Sequence, residues 1–510
     1  MRTMRRSLLR SLLSLSLAGV LQACVSSGAA TRTPSPGQAV ASVAATTTVT
    51  LAHINDVYEI GALDSGRSGG LARVATAFAA LRQSATPVIT TLGGDFLSPS
   101  ALGTARVDGT PLAGRQMVDV LNATGLQFAT LGNHEFDVAE AAFRARLEEA
   151  RFQVIVSNVT DAQGQPFPKT TPGVMVPVTV HGRALRIGLT GVVTDANPRP
   201  WVRYRPAVES VRQAVTALPR PLDAVVVISH LTLEEDAALV EALPEIDLIV
   251  GGHEHENWLL RRGARLTPIV KADANARSLA VVSMTFGAEG TRPVVESRLL
   301  PLDERVQPDR TVARRVEQWT ATAYNAFRRD GFTPEAAVVT LPISLDGRES
   351  VVRNRTGQLT DLIVAGMVRE TGAAIGLLNG GSVRIDDVIP PGPLTEYDVI
   401  RVMPFGGKIV RVQMSGALLQ RVLEAGRRNA GEGGYLHHSA AVTSTSTGWQ
   451  VNGTPLAPEM SYAVSLPEFL LTGREANMAF LTRTADGVTG VEEFRDIRRA
   501  FIEELRRTWP

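Results

Sequence analysis

The chain has 510 residues, too many for one ordinary domain, so two or three are predicted. Lys and Arg number 52 against 51 Asp and Glu, and this balance excludes the strongly basic character expected of a partner for nucleic-acid polymer. Hydrophobic residues make up 44% and aromatics 5%, normal for a globular protein whose cores are built from Ala, Val and Leu in an α/β pattern.

The start, MRTMRRSLLRSLLSLSLAGVLQAC, is a basic segment, then a Leu-rich run, then Leu21-Gln22-Ala23-Cys24. That order, residues 1–24, reads as a secretory signal ending in a bacterial lipobox, the mature protein then beginning at a lipidated Cys24. An ordinary signal peptide or an uncleaved anchor helix are the alternatives; the run is short for a span and contains Arg10. Cys24 is the only cysteine, so no intrachain disulfide is possible. Residues 25–45, rich in Ser, Ala, Thr and Pro, read as a flexible tether. The expected location is the cell envelope of a bacterium, with the membrane held through the N-terminal lipid.

From residue 46 to 303 one theme recurs: an apolar strand ends and a short polar, Gly-rich loop follows. TVTLAHI leads into NDVYE, PVITTL into GGDFLS, LQFATL into GNHEFD, LDAVVVI into Ser229-His230, and IDLIV into GGHEHE. Helical patterns such as LARVATAFAALRQ and EAAFRARLEEA lie between them. Chemistry in α/β sheets collects at the carboxyl ends of strands, and these loops all fall there. They carry Asp56, Asp95, Asn133, His134, Asp137, His230, His253 and His255, four of the chain's eight histidines. Carboxylate, imidazole and amide oxygen together suit Zn, Mn, Fe or Co. Two such ions about 3.5–4 Å apart need one shared carboxylate. Asp95, after two glycines that let the backbone pass close, is the bridging candidate.

Each residue alone has a plainer role. A lone Asp after a strand caps a helix or shapes a turn, and Asn133 fits a turn. The His253–His255 pair is the stronger signal, because a period of two at a strand end puts both on one side. Five strand ends with suitable residues make coincidence a poor explanation.

The charged stretch at residues 304–333 reads as a linker helix ending near Gly331 and Pro334. A second domain, 334–510, follows: a strand AVVTLPI, a helix TGQLTDLIVAGMVRETG, a strand and turn AIGLLNGG, and a strand KIVRVQMSG. A last helix, VEEFRDIRRAFIEELRR, places Phe494, Ile497, Phe501 and Leu505 on one core-facing stripe.

The order Asp-x-Tyr, Gly-Asp, Gly-Asn-His-Glu, Ser-His, Gly-His-x-His resembles the calcineurin-like metallophosphoesterases. With NGGSVR and PFGG downstream, the chain from 48 to 510 is similar to the bacterial 5′-nucleotidase/UDP-sugar hydrolase family. The resemblance implies a four-layer α/β/β/α metal domain followed by a smaller α/β substrate-binding domain. It implies two divalent metal ions, one held by Asp56, Asp95 and His255, the other by Asp95, Asn133, His230 and His253. It makes His134 the residue that stabilises the transition state and protonates the leaving oxygen, with Asp137 holding its ring; the same Asp could instead cap the following helix.

In the second domain the resemblance assigns Phe405 and Phe469 to stacking a nucleobase and Arg384 and Arg353 to phosphate, where core packing and surface charge are the alternatives. Glu475 stands where the family has an Asp for the ribose hydroxyls. The implied activity is hydrolysis of nucleoside 5′-monophosphates or related nucleotides by water attack. The alternatives are a relative acting on cyclic nucleotides, UDP-sugars or a thiosulfonate conjugate, and a nucleotide-binding lipoprotein without turnover. The third ligand of the first metal is usually a His; here it is Tyr58, which either ligates as phenolate or lines the pocket.

Overall fold

Thr47–Ile54 is buried on both faces from Val49 onward, as a strand must be when a second sheet covers one side and helices the other. It is the first described element of the computed structural model, which describes residues 47–510 and gathers Thr46–Pro510 into one unit. The signal segment, Cys24 and the tether lie outside the described residues.

Thr47–Ile54 is the third of seven strands in one mixed sheet, between Ser278–Phe286 (antiparallel) and Val88–Leu92 (parallel). A second sheet of six strands centres on Leu248–Gly251 and Ala224–His230, which run parallel to each other. Val49, Leu51 and Ile89 from the first sheet interdigitate with Ile187, Leu189, Val226 and Val250 from the second. Burying each such side chain contributes about 1.5–3 kcal/mol. The outer face of the first sheet is covered through Phe78, Leu121 and Phe143 from helices Leu71–Arg82, Arg115–Thr124 and Glu140–Glu149. The second is covered through Val211, Val215, Leu239 and Val240 from Ala207–Ala217 and Leu233–Ala242. The result is the four-layer α/β/β/α arrangement.

Helix Arg310–Arg329 begins at Asp309, whose carboxylate accepts the Thr311 and Val312 N–H groups at 2.9 Å each. It ends before Gly331, whose φ of 82° a side chain would resist. The helix is shorter than the 304–333 stretch predicted, and it lies on the first domain: Arg315 and Trp319 both bond Asp119.

The following segment forms a five-stranded sheet with Ile375–Asn379, Ser461–Pro467, Lys408–Ser415 and Val488–Asp496 in neighbouring places. Ile375, Leu377, Val410, Val412, Leu419 and Val422 fill one side of it. On the other side Ile363, Met367, Phe501 and Leu505 join an apolar cluster that runs on through Phe327 and Val312 to Phe78.

One sequence expectation fails here. Val488–Asp496 is a strand, and the last helix is Ile497–Thr508, so Phe494 does not share a helical stripe with Phe501. VTGVEEFRD pairs antiparallel with Lys408–Ser415, and that pairing overrides the helical preference of Glu and Arg. Asp496 then caps the helix through Arg498 N at 2.9 Å.

Candidate functional site

The loops at the carboxyl ends of both sheets meet. Asp56 follows the Thr47–Ile54 strand, Asp95 follows Val88–Leu92, and His230 ends Ala224–His230. All three are buried, and ligating atoms of the three lie within 4.8 Å of one another. Glycines make this approach possible. A Cβ on Gly252 would come within 2.6 Å of the Asp56 carboxylate, and one on Gly132 would overlap the Asp95 carboxylate. Asp56, Asp95, His253 and His255 all have positive φ, from 51° to 88°, which is rare outside glycine and concentrates at functional sites.

Two buried polar atoms of the ligand loops have no hydrogen-bond partner: His230 Nε2 and Asn133 Oδ1. His230 donates from Nδ1 to Gly93 O at 2.6 Å, and its Nε2, 3.3 Å from Asp95 Oδ2, is left to hold either a proton or a cation. Burial lowers the His230 pKa, but Asp95 and Asp56 outweigh it and lift it to about 9. A pocket that draws positive charge so strongly, and leaves a buried imidazole nitrogen and an amide oxygen without hydrogen-bond partners, fits a divalent cation. The His253 ring lies 5.3 Å from that of His230, and its pKa is pushed down to about 3 by burial and by His230, so it is a neutral donor.

His253 and His255 are not on a strand. The strand Leu248–Gly251 stops first, and the two residues occupy a left-handed turn. Glu254 between them is drawn inward to the buried Lys271, and the rings diverge, one to His230 and the other to Tyr58. The two rings thus face different neighbours rather than one side.

Tyr58 stands among the donors. Its hydroxyl bonds Asp95 Oδ2 at 3.1 Å and lies 2.8 Å from His255 Nε2, which is itself 3.6 Å from Asp56 Oδ1. Burial and the surrounding carboxylates, Asp95 foremost, hold the phenol well above its usual pKa of 10. His53 is structural: its ring bonds Thr91 Oγ1 at 2.9 Å and Gly251 O at 3.1 Å.

Beside the cluster, His134 Nδ1 bonds Asp137 Oδ2 at 2.7 Å within the 3₁₀ turn Asn133–Asp137. Asp137 is not the cap of the next helix, which starts after Ala139. Its other oxygen accepts from Asn197 at 2.8 Å and Arg199 at 2.6 Å. Burial opposes ionisation of Asp137, but the His134 bond and the nearby guanidinium of Arg384 hold it well below the usual carboxylate range. The second domain supplies Arg384, whose Nη2 is 3.2 Å from His134 Nδ1 and 3.4 Å from Asp137 Oδ2.

The other predicted substrate residues are more scattered. Arg353 pairs with Glu349, which also lies 3.6 Å from Arg384. Phe405 is 57% exposed and Phe469 37%, unusual for large apolar rings and suited to a ligand face. They follow or precede paired strands, Ile409 lying opposite Pro467. Glu475 accepts from Asn379 Nδ2 at 2.9 Å and from Ala476 N at 2.9 Å.

Sequence reasoning missed Glu135. Fully buried, it accepts the N–H groups of Asp95, Phe96 and Leu97 at 2.7–3.0 Å, and that of Gly132, tying the two ligand loops together. Its signal was present as the last letter of Gly-Asn-His-Glu. Asn197 and Arg199 carried no such signal.

The chain matches the model of the calcineurin-like phosphoesterase family over residues 49–257 and that of the 5′-nucleotidase C-terminal domain over residues 336–482. It is 24% identical over 493 residues to snake venom 5′-nucleotidase of Naja atra, covering 83% of this chain and 90% of that protein. It is also 24% identical over 361 residues to the trifunctional nucleotide phosphoesterase protein YfkN of Bacillus subtilis, covering 62% of this chain; it spans only 24% of YfkN. The solved 5′-nucleotidase precursor from Thermus thermophilus shares its fold, with TM-score 0.69, 24% identity, and 90% and 96% of the two chains covered.

Proposed function

We propose, for a chain that belongs to the calcineurin-like phosphoesterases bearing a 5′-nucleotidase C-terminal domain, that its substrates are nucleoside 5′-monophosphates or close relatives. The protein is a phosphoester hydrolase. The observation that carries the reading is the unmatched buried His230 Nε2 facing two buried carboxylates, with the unmatched Asn133 Oδ1 in a ligand loop and a His134–Asp137 dyad beside them. Asp56, Asp95 and His255, with Tyr58 close by, would hold one divalent cation. Asp95, Asn133, His230 and His253 would hold the other. Such cations supply Lewis acidity toward phosphoryl oxygens and a water acidified toward neutrality.

The chain's own groups account for the rest. With Nδ1–H donated to Asp137, His134 keeps Nε2 for the substrate and can pass a proton to the leaving oxygen. Arg384, 11% exposed, brings a guanidinium to the same place, suited to a phosphate. Phe405 and Phe469 offer flat faces for a base, and Glu475 offers a carboxylate to ribose. The exposed rings favour a nucleotide over a thiosulfonate conjugate. The intact dyad argues against a binding protein without turnover.

Product release tests the substrate class: phosphate from AMP, a nucleoside monophosphate from a 2′,3′-cyclic nucleotide, UMP and a sugar phosphate from a UDP-sugar, and sulfate from a thiosulfonate conjugate. AMP turning over fastest is the expected result; no release from any nucleotide would overturn it. The segment Met1–Cys24 supports export and lipid anchoring in the cell envelope. Radiolabelled palmitate should enter the chain in a bacterial host and be lost in Cys24→Ser; equal labelling of both would contradict the anchor.

A further inference from the structure

His255 has two ring nitrogens and they face different domains. Nε2 looks at Tyr58 Oη and Asp56 Oδ1, 2.8 and 3.6 Å away. Nδ1 meets Oδ2 of Asp386, which lies 131 positions later, in the second domain. Asp386 is fixed from behind, its other oxygen accepting the Glu349 N–H. Its neighbour Asp387 pairs with Arg277, which also grips Asp64. Arg277 closes the turn in which Ala274 N bonds His255 O at 2.8 Å and Asn275 N bonds Asp56 O at 2.7 Å. Within four positions of the second domain, Arg384 therefore reaches the His134 side of the site and Asp386 the His255 side.

An imidazole that binds a cation through Nε2 must carry its proton on Nδ1. A carboxylate accepting that proton fixes the tautomer, aims the ring and makes Nε2 a better donor. We propose that Asp386 is the positioning residue for His255, so that the second domain completes the cation position formed by Asp56, Asp95 and His255. The position made by Asn133, His230 and His253 has no such dependence, because His230 is aimed by Gly93 O of its own domain. This inference rests on the cation reading of the site.

The test is Mn²⁺ binding by calorimetry on the chain beginning at Val25, which keeps the whole Thr46–Pro510 unit. The parent should show two sites. Asp386→Ala should weaken one of them about 10–100-fold and leave the other unchanged. Asp386→Asn, which keeps an acceptor oxygen, should weaken the same site less; it also serves if the alanine variant fails to fold. In a His255→Ala background, Asp386→Ala should add nothing, since the carboxylate acts only through the ring. Glu492→Gln, which loses a pair with Arg411 elsewhere in the second domain and touches neither His255 nor its turn, should bind like the parent. Loss spread equally over both sites, additive loss in the double variant, or two unchanged sites in Asp386→Ala would each overturn the inference alone. A parent that takes up no cation would overturn the cation reading, and this inference with it.

Discussion

His134 and Asp137 lie three positions apart in a 3₁₀ turn, and their 2.7 Å bond leaves one imidazole nitrogen free for chemistry. His134→Ala should lower kcat about 10²–10⁴-fold while nucleotide affinity, measured by fluorescence quenching, stays within a few-fold. Equal loss of affinity would mean a binding role only. Gly132→Ala should abolish cation binding, because its Cβ would overlap the Asp95 carboxylate; retention of two cations by calorimetry would contradict the packing described. Tyr58 has its own test: iron-loaded protein should show a visible charge-transfer band if the phenolate ligates, and none if Tyr58 only lines the pocket. At this scale the sequence was most legible where residue type and place both spoke. Asp56, Asp95 and His230 stand at strand ends, and their ligating atoms lie within 4.8 Å of one another. Glu135 was legible only as the last letter of Gly-Asn-His-Glu, and Arg199 and Asp386 not at all, because an Arg or Asp in a loop has no periodicity and its partner comes from another loop.

Among the elements, the turn between Leu248–Gly251 and Trp258–Arg262 depends on a buried charge cluster. Lys271 Nζ is fully buried, 3.0 Å from Asp236 Oδ2 and 2.7 Å from Leu231 O, and it also binds Glu254. Lys271→Met removes the cation and leaves two carboxylates near each other, so unfolding in urea should show a loss of about 3–5 kcal/mol. A change under about 1 kcal/mol would mean that the cluster does not hold the turn. This turn also explains why the period-of-two argument failed for His253 and His255. Strand alternation describes a residue only while the ladder lasts, and the ladder ends at Gly251. The same physics, reversed, hid the strand Val488–Asp496: its partner, Lys408–Ser415, lies far earlier in the chain, and nothing local marks the pairing. Amphipathic helices such as Leu71–Arg82 and Gln358–Thr371 were readable because their pattern is local.

For the whole molecule, one apolar cluster runs from the first sheet's helices through Arg310–Arg329 to Ile497–Thr508, and ion pairs such as Arg401–Glu59 cross beside it. Fold class was legible from alternating strands and helices; the grip of one domain on the other was not, since it depends on pairs far apart in the chain. Stability should depend on pH through His437. It is buried, its Nε2 donates to Val352 O at 2.7 Å and its Nδ1 has no partner, so burial pushes its pKa down to about 4. A folded pKa below the unfolded value of about 6.5 means that the unfolded chain binds the proton first. The neutral ring's contribution is therefore complete above pH ~6.5 and lost as pH falls to ~4, a change of about 3 kcal/mol. His437→Gln should flatten the fall in Tm between about pH 6.5 and 4.5; an unchanged slope would contradict the assignment.

The measurement that bears most directly on a hydrolase working through paired cations is phosphate release from AMP against added Mn²⁺ after EDTA treatment, with the Asp95→Ala variant alongside. The account predicts no release without the cation, activity that saturates at two equivalents per chain, and none in the variant. Release that persists in EDTA, or that survives loss of Asp95, would contradict it.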